Sequence, residues 1–141
     1  MHRILYIFIT FIIFQPAHAT FQIPETIKYE NTIYESLEEP LDTYIQKNKI
    51  NILKITNSLC SANWRGYLGG WAILENYLYL EKLYIDPCST KKEIPITEIF
   101  PHEKGIVKAI WFTGEIRLFN KAHYGEAPAF ILKIINGKVS N

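Results

Sequence analysis

The sequence predicts a mainly β domain of the α+β kind, with about seven or eight short antiparallel strands in a small barrel or sandwich-like sheet and one or two short helices. Three observations lead to this prediction. Short segments of alternating apolar and polar residues recur along the chain, tight-turn dipeptides separate several of them, and 14% of the 141 residues are aromatic. With 48% hydrophobic residues, the chain is too apolar for disorder and too short for two ordinary domains.

The first elements along the chain are a hairpin, a helix and a strand. Residues 26–36 alternate around a polar centre and predict a short hairpin. Pro40 suits the first position of a helix, and apolar residues follow it at helical spacing, which gives the helix one buried face. Residues 49–55 alternate again and predict a strand. A second short helical turn is expected to begin at Pro95.

The clearest hairpin runs over residues 66–85. If Glu75 and Asn76 are its two turn residues, Trp71 pairs with Leu80, and both faces of the strand pair are apolar near the turn. Such a pair belongs in the middle of a structure. Three glycines weaken its first strand and predict a bulge or a sharp bend: Gly66, Gly69 and Gly70.

Two further strand pairs are predicted in the last third of the chain. Residues 106–119 read as a hairpin with Thr113 and Gly114 at its tip, one face apolar and the other polar. Residues 129–135 predict a buried strand, and the Asn-Gly dipeptide at 136–137 predicts a tight turn after it.

Residues 1–19 have the features of a secretory signal peptide. Arg3 precedes an apolar run over residues 4–14, and a small-x-small pattern follows. A membrane anchor is the alternative, but this run is well short of the ~20 residues that span a bilayer. We therefore expect cleavage before Thr20, which leaves one β-rich domain over residues 20–141, exported to the periplasm or the medium and without a membrane span.

Charge and cysteine content narrow the range of partners and cofactors. The net charge of +1 is too small to attract nucleic acid or an anionic membrane, so neither is expected as a partner. No nucleotide-binding, EF-hand or zinc-protease motif occurs, so no cofactor is expected. Two cysteines in an exported domain, Cys60 and Cys88, predict a disulfide. A shared metal is the weaker alternative, because no His or Cys lies two to four residues from either one.

Three short patterns occur in a fixed order along the chain. They are W-R-G-Y-x-x-x-W at 64–71, L-Y-L at 78–80 and W-F-x-G-E at 111–115. In these motifs the chain resembles a widespread group of small bacterial proteins of unassigned activity. The resemblance covers nearly all of residues 20–141 and implies a shared fold, but no chemistry. The chain departs from the group's pattern at 120–125, so the resemblance implies no role for that segment.

The first of these patterns supplies the candidate binding residues. Trp64, Arg65, Tyr67 and Trp71 place three aromatic rings and a guanidinium within eight residues. Arg117 is expected on the polar face of its strand. These residues predict a non-catalytic binding module for a protein partner in the cell envelope or outside the cell. They also fit a structural role at the edge of the core, because aromatic residues dominate burial in small domains.

An enzyme is the alternative function. His102 beside Glu103, and His123 near Glu126, provide a histidine with a carboxylate that could orient it as a general base, so the chain could be a small periplasmic or secreted hydrolase. No G-x-S-x-G elbow is present. The sequence therefore contains few candidate catalytic residues, and it favours a binding module over a hydrolase.

Overall fold

The computed structural model describes residues 20–122 and 126–140, so the predicted signal peptide over residues 1–19 lies outside the described residues. The described residues form one α-helix and nine strands. These elements are β1 (Glu25–Tyr29), β2 (Thr32–Ser36), α1 (Pro40–Lys47), β3 (Tyr67–Leu74), β4 (Tyr77–Ile85), β5 (Lys92–Ile94), β6 (Val107–Lys108), β7 (Gly114–Leu118), β8 (Phe130–Ile135) and β9 (Lys138–Ser140).

Seven of the strands form one nearly closed sheet shaped like a barrel. Their order is β2-β1-β3-β4-β9-β8-β7, and the short strands β5 and β6 pair with β4. The two end strands meet where Glu35 and Phe119 exchange two backbone hydrogen bonds of 2.8 and 2.9 Å. Closure leaves few unpaired strand edges. The prediction of a small β-rich barrel with a short helix is confirmed.

The predicted β3–β4 hairpin is confirmed, including its turn. Glu75 and Asn76 both have positive φ, 48° and 63°, as a tight two-residue turn requires. Trp71 pairs with Leu80 as expected, and the register shifts between Gly70 and Trp71, where the glycines predict a bulge. The predicted hairpin of β1 with β2 and the turn between β8 and β9 are also present.

The predicted hairpin over residues 106–119 is wrong. β6 pairs with β4, and β7 pairs with β8, so the two halves of this segment join different neighbours. The Ala109 N–H donates to the Leu78 carbonyl (2.9 Å), and the Phe112 carbonyl accepts from the Gly137 N–H (2.8 Å). These long-range bonds satisfy backbone groups that a local hairpin would otherwise have paired.

Two other expectations need correction. Residues 49–55 are not a strand but contain a 3₁₀ helix, Ile52–Lys54, because the Asn51 side chain accepts a hydrogen bond from the first turn and caps it. The strands are also not all antiparallel: β1 runs parallel to β3, with Ile27 beside Trp71. A chain segment that includes α1 and this 3₁₀ helix makes the crossover that a parallel pair needs.

The core fills the barrel and extends under α1. The helix buries Leu41 and Ile45 against the sheet. The helical turn expected at Pro95 is the 3₁₀ helix Ile96–Glu98, and Phe100 after it is buried in the same core. Within the described residues, no helix has the length and hydropathy that crossing a membrane demands.

Candidate functional site

Residues 56–66, which we call the Trp64 loop, join the 3₁₀ helix Ile52–Lys54 to β3 and contain two of the predicted binding residues. The predicted disulfide is present: Cys60 and Cys88 are bonded, with 6.2 Å between their Cα atoms. Since Cys88 follows shortly after β4, the bond holds the middle of the loop to the open end of the β3–β4 hairpin.

A buried asparagine shapes the end of the loop. Asn63 is fully buried; its side-chain oxygen accepts the Gly66 N–H (2.7 Å), and its amide donates to the Tyr67 carbonyl (3.0 Å). Gly66 has a φ of +76°, and a Cβ there would lie 2.6 Å from the Thr56 methyl group. Only glycine meets both conditions without strain. The turn that presents the residues between Cys60 and Gly66 is therefore fixed from inside.

The beginning of the loop is held by Asp86. Its carboxylate accepts the Asn57 N–H (2.7 Å) and lies 3.0 Å from the Thr56 hydroxyl, which is also 2.8 Å from the Gly66 carbonyl oxygen. The Asn57 N–H is the largest of the effects that lower the pKa of Asp86 below its ordinary value. Both ends and the middle of the Trp64 loop are thus anchored to the barrel.

The anchored loop carries an exposed tryptophan. Trp64 is 70% exposed, and Leu59 on the same loop is 44% exposed. Burying a large aromatic side chain against a partner is among the most favourable contacts in protein interfaces. Because the loop is already ordered, little conformational entropy would be lost if a partner buried Trp64.

Arg65 points inward, whereas its neighbour Trp64 points out. The Arg65 guanidinium donates to Glu25 (2.8 Å), contacts Glu39 (3.2 Å), and lies over the ring of Tyr67 at 5.3 Å from its centre. Only 12% of the Arg65 side chain is exposed. Arg65 therefore links the Trp64 loop to the start of β1 and to the residue before α1.

Glu25 is the centre of this buried cluster. It is 1% exposed, and its carboxylate accepts from Arg65, from the indole N–H of Trp71 (2.5 Å) and from the backbone of Gly69. A Cβ on Gly69 would lie 2.3 Å from the indole nitrogen of Trp71. Glycine at this position therefore lets the indole reach the carboxylate.

Burial dominates the electrostatics of the cluster. Loss of solvation raises the pKa of Glu25 to about 7, although the Arg65 charge and the Trp71 N–H act in the opposite direction. Burial also raises the pKa of Tyr67 above its ordinary range. The Tyr67 hydroxyl has no hydrogen-bond partner among the described residues. The cluster is thus tightly enclosed, with Tyr67 and Trp71 only 1% and 2% exposed.

Stability is expected to fall as the pH rises across the titration of Glu25. A carboxyl whose pKa is higher in the folded chain binds its proton more tightly there, so the stability from protonated Glu25 is complete below about pH 4.5 and is lost as the pH passes about 7. This difference in pKa corresponds to about 3 kcal/mol. Urea unfolding of the wild type and of Glu25→Gln across this pH range measures it. Glu25→Gln should flatten the profile, and the exposed control Glu98→Gln should not; equal profiles for all three proteins would refute the assignment.

Arg117 forms a separate ion pair. Its side chain is 55% exposed on β7, and its guanidinium lies 2.6 Å from Glu38. Glu38 precedes Glu39, the residue that Arg65 contacts. Consecutive glutamates before α1 therefore hold the two arginines, each in its own ion pair.

Sequence reasoning missed Glu25, Asn63 and Asp86. Glu25 begins the alternation that continues with Ile27, so a carboxylate stands on the inward face of a predicted strand, and this was a usable signal. Buried carboxylates are rare unless paired. No comparable local signal marks Asn63 or Asp86, because their partners lie in turns.

The histidines predicted for the hydrolase alternative provide no assembled site in the described part of the chain. His102 is exposed in the turn after Phe100, and no hydrogen bond or ion pair joins it to a carboxylate of a described residue. Glu126 is exposed, and His123 lies outside the described residues. The described residues contain no group of three or more side chains placed to bind a metal ion.

Comparisons of the chain with protein-family models, with curated proteins and with solved structures found no match. The resemblance of its three motifs to a group of bacterial proteins stays a prediction. The structure does place these motifs: the first spans the Trp64 loop and β3, and the second lies in β4 beside it.

Proposed function

We propose that the chain is an exported, non-catalytic binding module that engages a protein of the cell envelope through the Trp64 loop. In this proposal Trp64 makes the central contact. The Trp64 loop is supported from the inside by three buried or largely buried side chains, those of Arg65, Tyr67 and Trp71. Arg117 contributes a polar contact, and its ion pair with Glu38 holds its side chain in place.

One observation carries the proposal: a tryptophan that is 70% exposed on a loop held by a disulfide, a buried Asn63 and Asp86. Exposure of so large an apolar side chain is unfavourable in water and becomes favourable when a partner covers it. Rigid tryptophans with ordered surroundings are typical of interface hot spots. The binding role is preferred to hydrolysis because His102, the described histidine of that alternative, has no carboxylate partner among the described residues.

The proposed location rests on the disulfide and on the predicted signal peptide. Disulfides persist in the periplasm and outside the cell, whereas the cytosol keeps most thiols reduced. The Cys60–Cys88 bond supports an oxidising location. It also connects location with function, because it helps to fix the loop that the partner would contact.

Trp64→Ala is expected to weaken partner binding at least about thirtyfold, the effect of losing a hot spot worth about 2 kcal/mol. The free energy of unfolding should change by no more than about 0.5 kcal/mol, because the side chain is exposed. Proteins captured from envelope extract by the wild-type domain are identified, purified and titrated by calorimetry. Ile131→Ala, which removes an apolar side chain 59% exposed on β8, is the matched control.

Three outcomes would contradict the proposal. If the captured protein binds Trp64→Ala as tightly as it binds the wild type, it does not contact Trp64. Equal losses for Trp64→Ala and Ile131→Ala mean that exposed apolar residues bind nonspecifically. A wild-type dimer that Trp64→Ala converts to a monomer in sedimentation identifies the occupant as a second copy of the chain.

A further inference from the structure

A cleft of about 400 Å³ lies beside the C-terminal half of α1, apart from the residues of the Trp64 loop. The turn after the 3₁₀ helix Ile96–Glu98 and the segment after β6 form its other walls. Three aromatic and three polar side chains are among those that line it: Tyr44, Phe100, Trp111, Lys47, Asn48 and Glu103. Its volume falls within the range of small-ligand sites in proteins.

The floor of the cleft is a group of three aromatic rings. Phe100 is buried at the centre, with ring centres 4.4 Å from Tyr44 and 5.2 Å from Trp111. Tyr44 and Trp111 are partly exposed. The indole N–H of Trp111 donates to the Pro40 carbonyl (2.8 Å), which fixes the ring across the helix. The cleft therefore has a rigid aromatic surface before any ligand binds.

The rim of the cleft carries polar side chains of positive, negative and neutral charge. Lys47 and Asn48 lie at the end of α1, and Glu103 lies on the facing turn; all three are exposed. Within the described part of the chain, neither Lys47 nor Glu103 forms an ion pair. The ammonium of Lys108, another lining residue, lies 4.0 Å from the centre of the Tyr77 ring. The Asn48 amide donates one hydrogen bond to the Tyr44 carbonyl (2.9 Å), so the groups left for a ligand are one cation, one anion, and the second N–H and the oxygen of that amide.

We propose that this cleft binds a neutral sugar ring of a glycan. The C–H face of a pyranose packs against aromatic rings, and its hydroxyls both donate and accept, which matches the ammonium of Lys47, the carboxylate of Glu103 and the amide of Asn48. The Lys108 ammonium lies over the Tyr77 ring, which does not line the cleft, so the charged groups that face a ligand are the opposite charges of Lys47 and Glu103, and neither an anionic nor a cationic ligand is strongly favoured. An apolar peptide side chain would cover the aromatic floor but would remove water from Lys47 and Glu103 without replacing their hydrogen bonds.

Titration with triacetylchitotriose and maltotriose, both neutral, followed by tryptophan fluorescence and calorimetry, tests the proposal. At least one of them should bind the wild type with a dissociation constant of about 1 mM. The double variant Lys47→Ala/Glu103→Ala should bind at least tenfold more weakly, since it removes a hydrogen-bond donor and an acceptor at the rim. Glu115→Ala/Lys133→Ala removes the same two residue types from the exposed face of β7 and β8 and should bind like the wild type.

Trp111→Leu should also lose at least tenfold in affinity, and its unfolding curve shows whether it is folded. Trp64→Ala should bind the sugars like the wild type, so the proposal for this cleft and the proposal for the Trp64 loop are tested independently. Three results would overturn the proposal: no saturation by either sugar up to about 10 mM, equal affinity in the rim variant and the wild type, or binding of N-acetyltryptophanamide in place of both sugars, which would identify a peptide site.

Discussion

Glu25→Met is expected to lower the free energy of unfolding by about 3–5 kcal/mol at about pH 5. At this pH, below its pKa of about 7, Glu25 keeps its full contribution to stability and accepts the hydrogen bond of Arg65, whose side chain is only 12% exposed. Methionine of similar length leaves the guanidinium buried with only the half-exposed Glu39 as an ionic partner. It also leaves the Trp71 N–H without its acceptor. Urea unfolding at constant pH measures the loss.

A second replacement separates charge from packing. If the unpaired charge causes the loss, Glu25→Met/Arg65→Met should recover a substantial part of it, because replacing both members of a buried ion pair by apolar side chains is often neutral. Glu93→Met is the surface control, since the Glu93–Lys82 pair is 52% exposed on both sides and its removal should lower the stability much less than Glu25→Met does. A double variant no more stable than Glu25→Met would show that charge pairing is not the main role of Glu25.

The elements that could be predicted from the sequence are those whose signals are local. The β3–β4 hairpin has its turn residues, Glu75 and Asn76, and its alternation within one continuous segment. The helix at Pro40 likewise begins at a residue with a fixed φ and continues with apolar residues at helical spacing. In both cases, the backbone partners lie within one continuous segment, so the local pattern of side chains determines the pairing.

The features that could not be predicted depend on contacts between distant parts of the chain. Residues 106–119 have a hairpin pattern, but the Ala109 N–H bonds to Leu78, in β4, and the two halves separate. The Glu25–Arg65 pair exists only because β1 lies parallel to β3, a pairing between segments about forty residues apart. Predicting aromatic and arginine residues for the site was therefore possible. Predicting which of them face inward was not.

Replacing the disulfide by Cys60→Ser/Cys88→Ser is expected to lower the free energy of unfolding by about 3–4 kcal/mol. The cysteines are 28 residues apart, and in the chain-entropy model a crosslink of this length restricts the unfolded chain by that amount. Urea unfolding measures the loss. Wild type unfolded in the presence of a reductant is the matched control and should show the same loss, because it has the same open chain without the substitutions.

The same variant tests whether the disulfide orders the Trp64 loop or only restricts the unfolded chain. The Asn57 and Gly66 amides donate to Asp86 and Asn63, so their hydrogen exchange under native conditions reports on the loop. If the bond orders the loop, both amides should exchange faster by a larger factor than the amide of Ala72, at the centre of β3. In the proposed function, a looser loop must become ordered when the partner covers Trp64, so the affinity for the partner should fall as well. Equal acceleration at all three amides would mean that the bond acts through the unfolded state alone, and Trp64 would then owe its fixed position to Asn63 and Asp86.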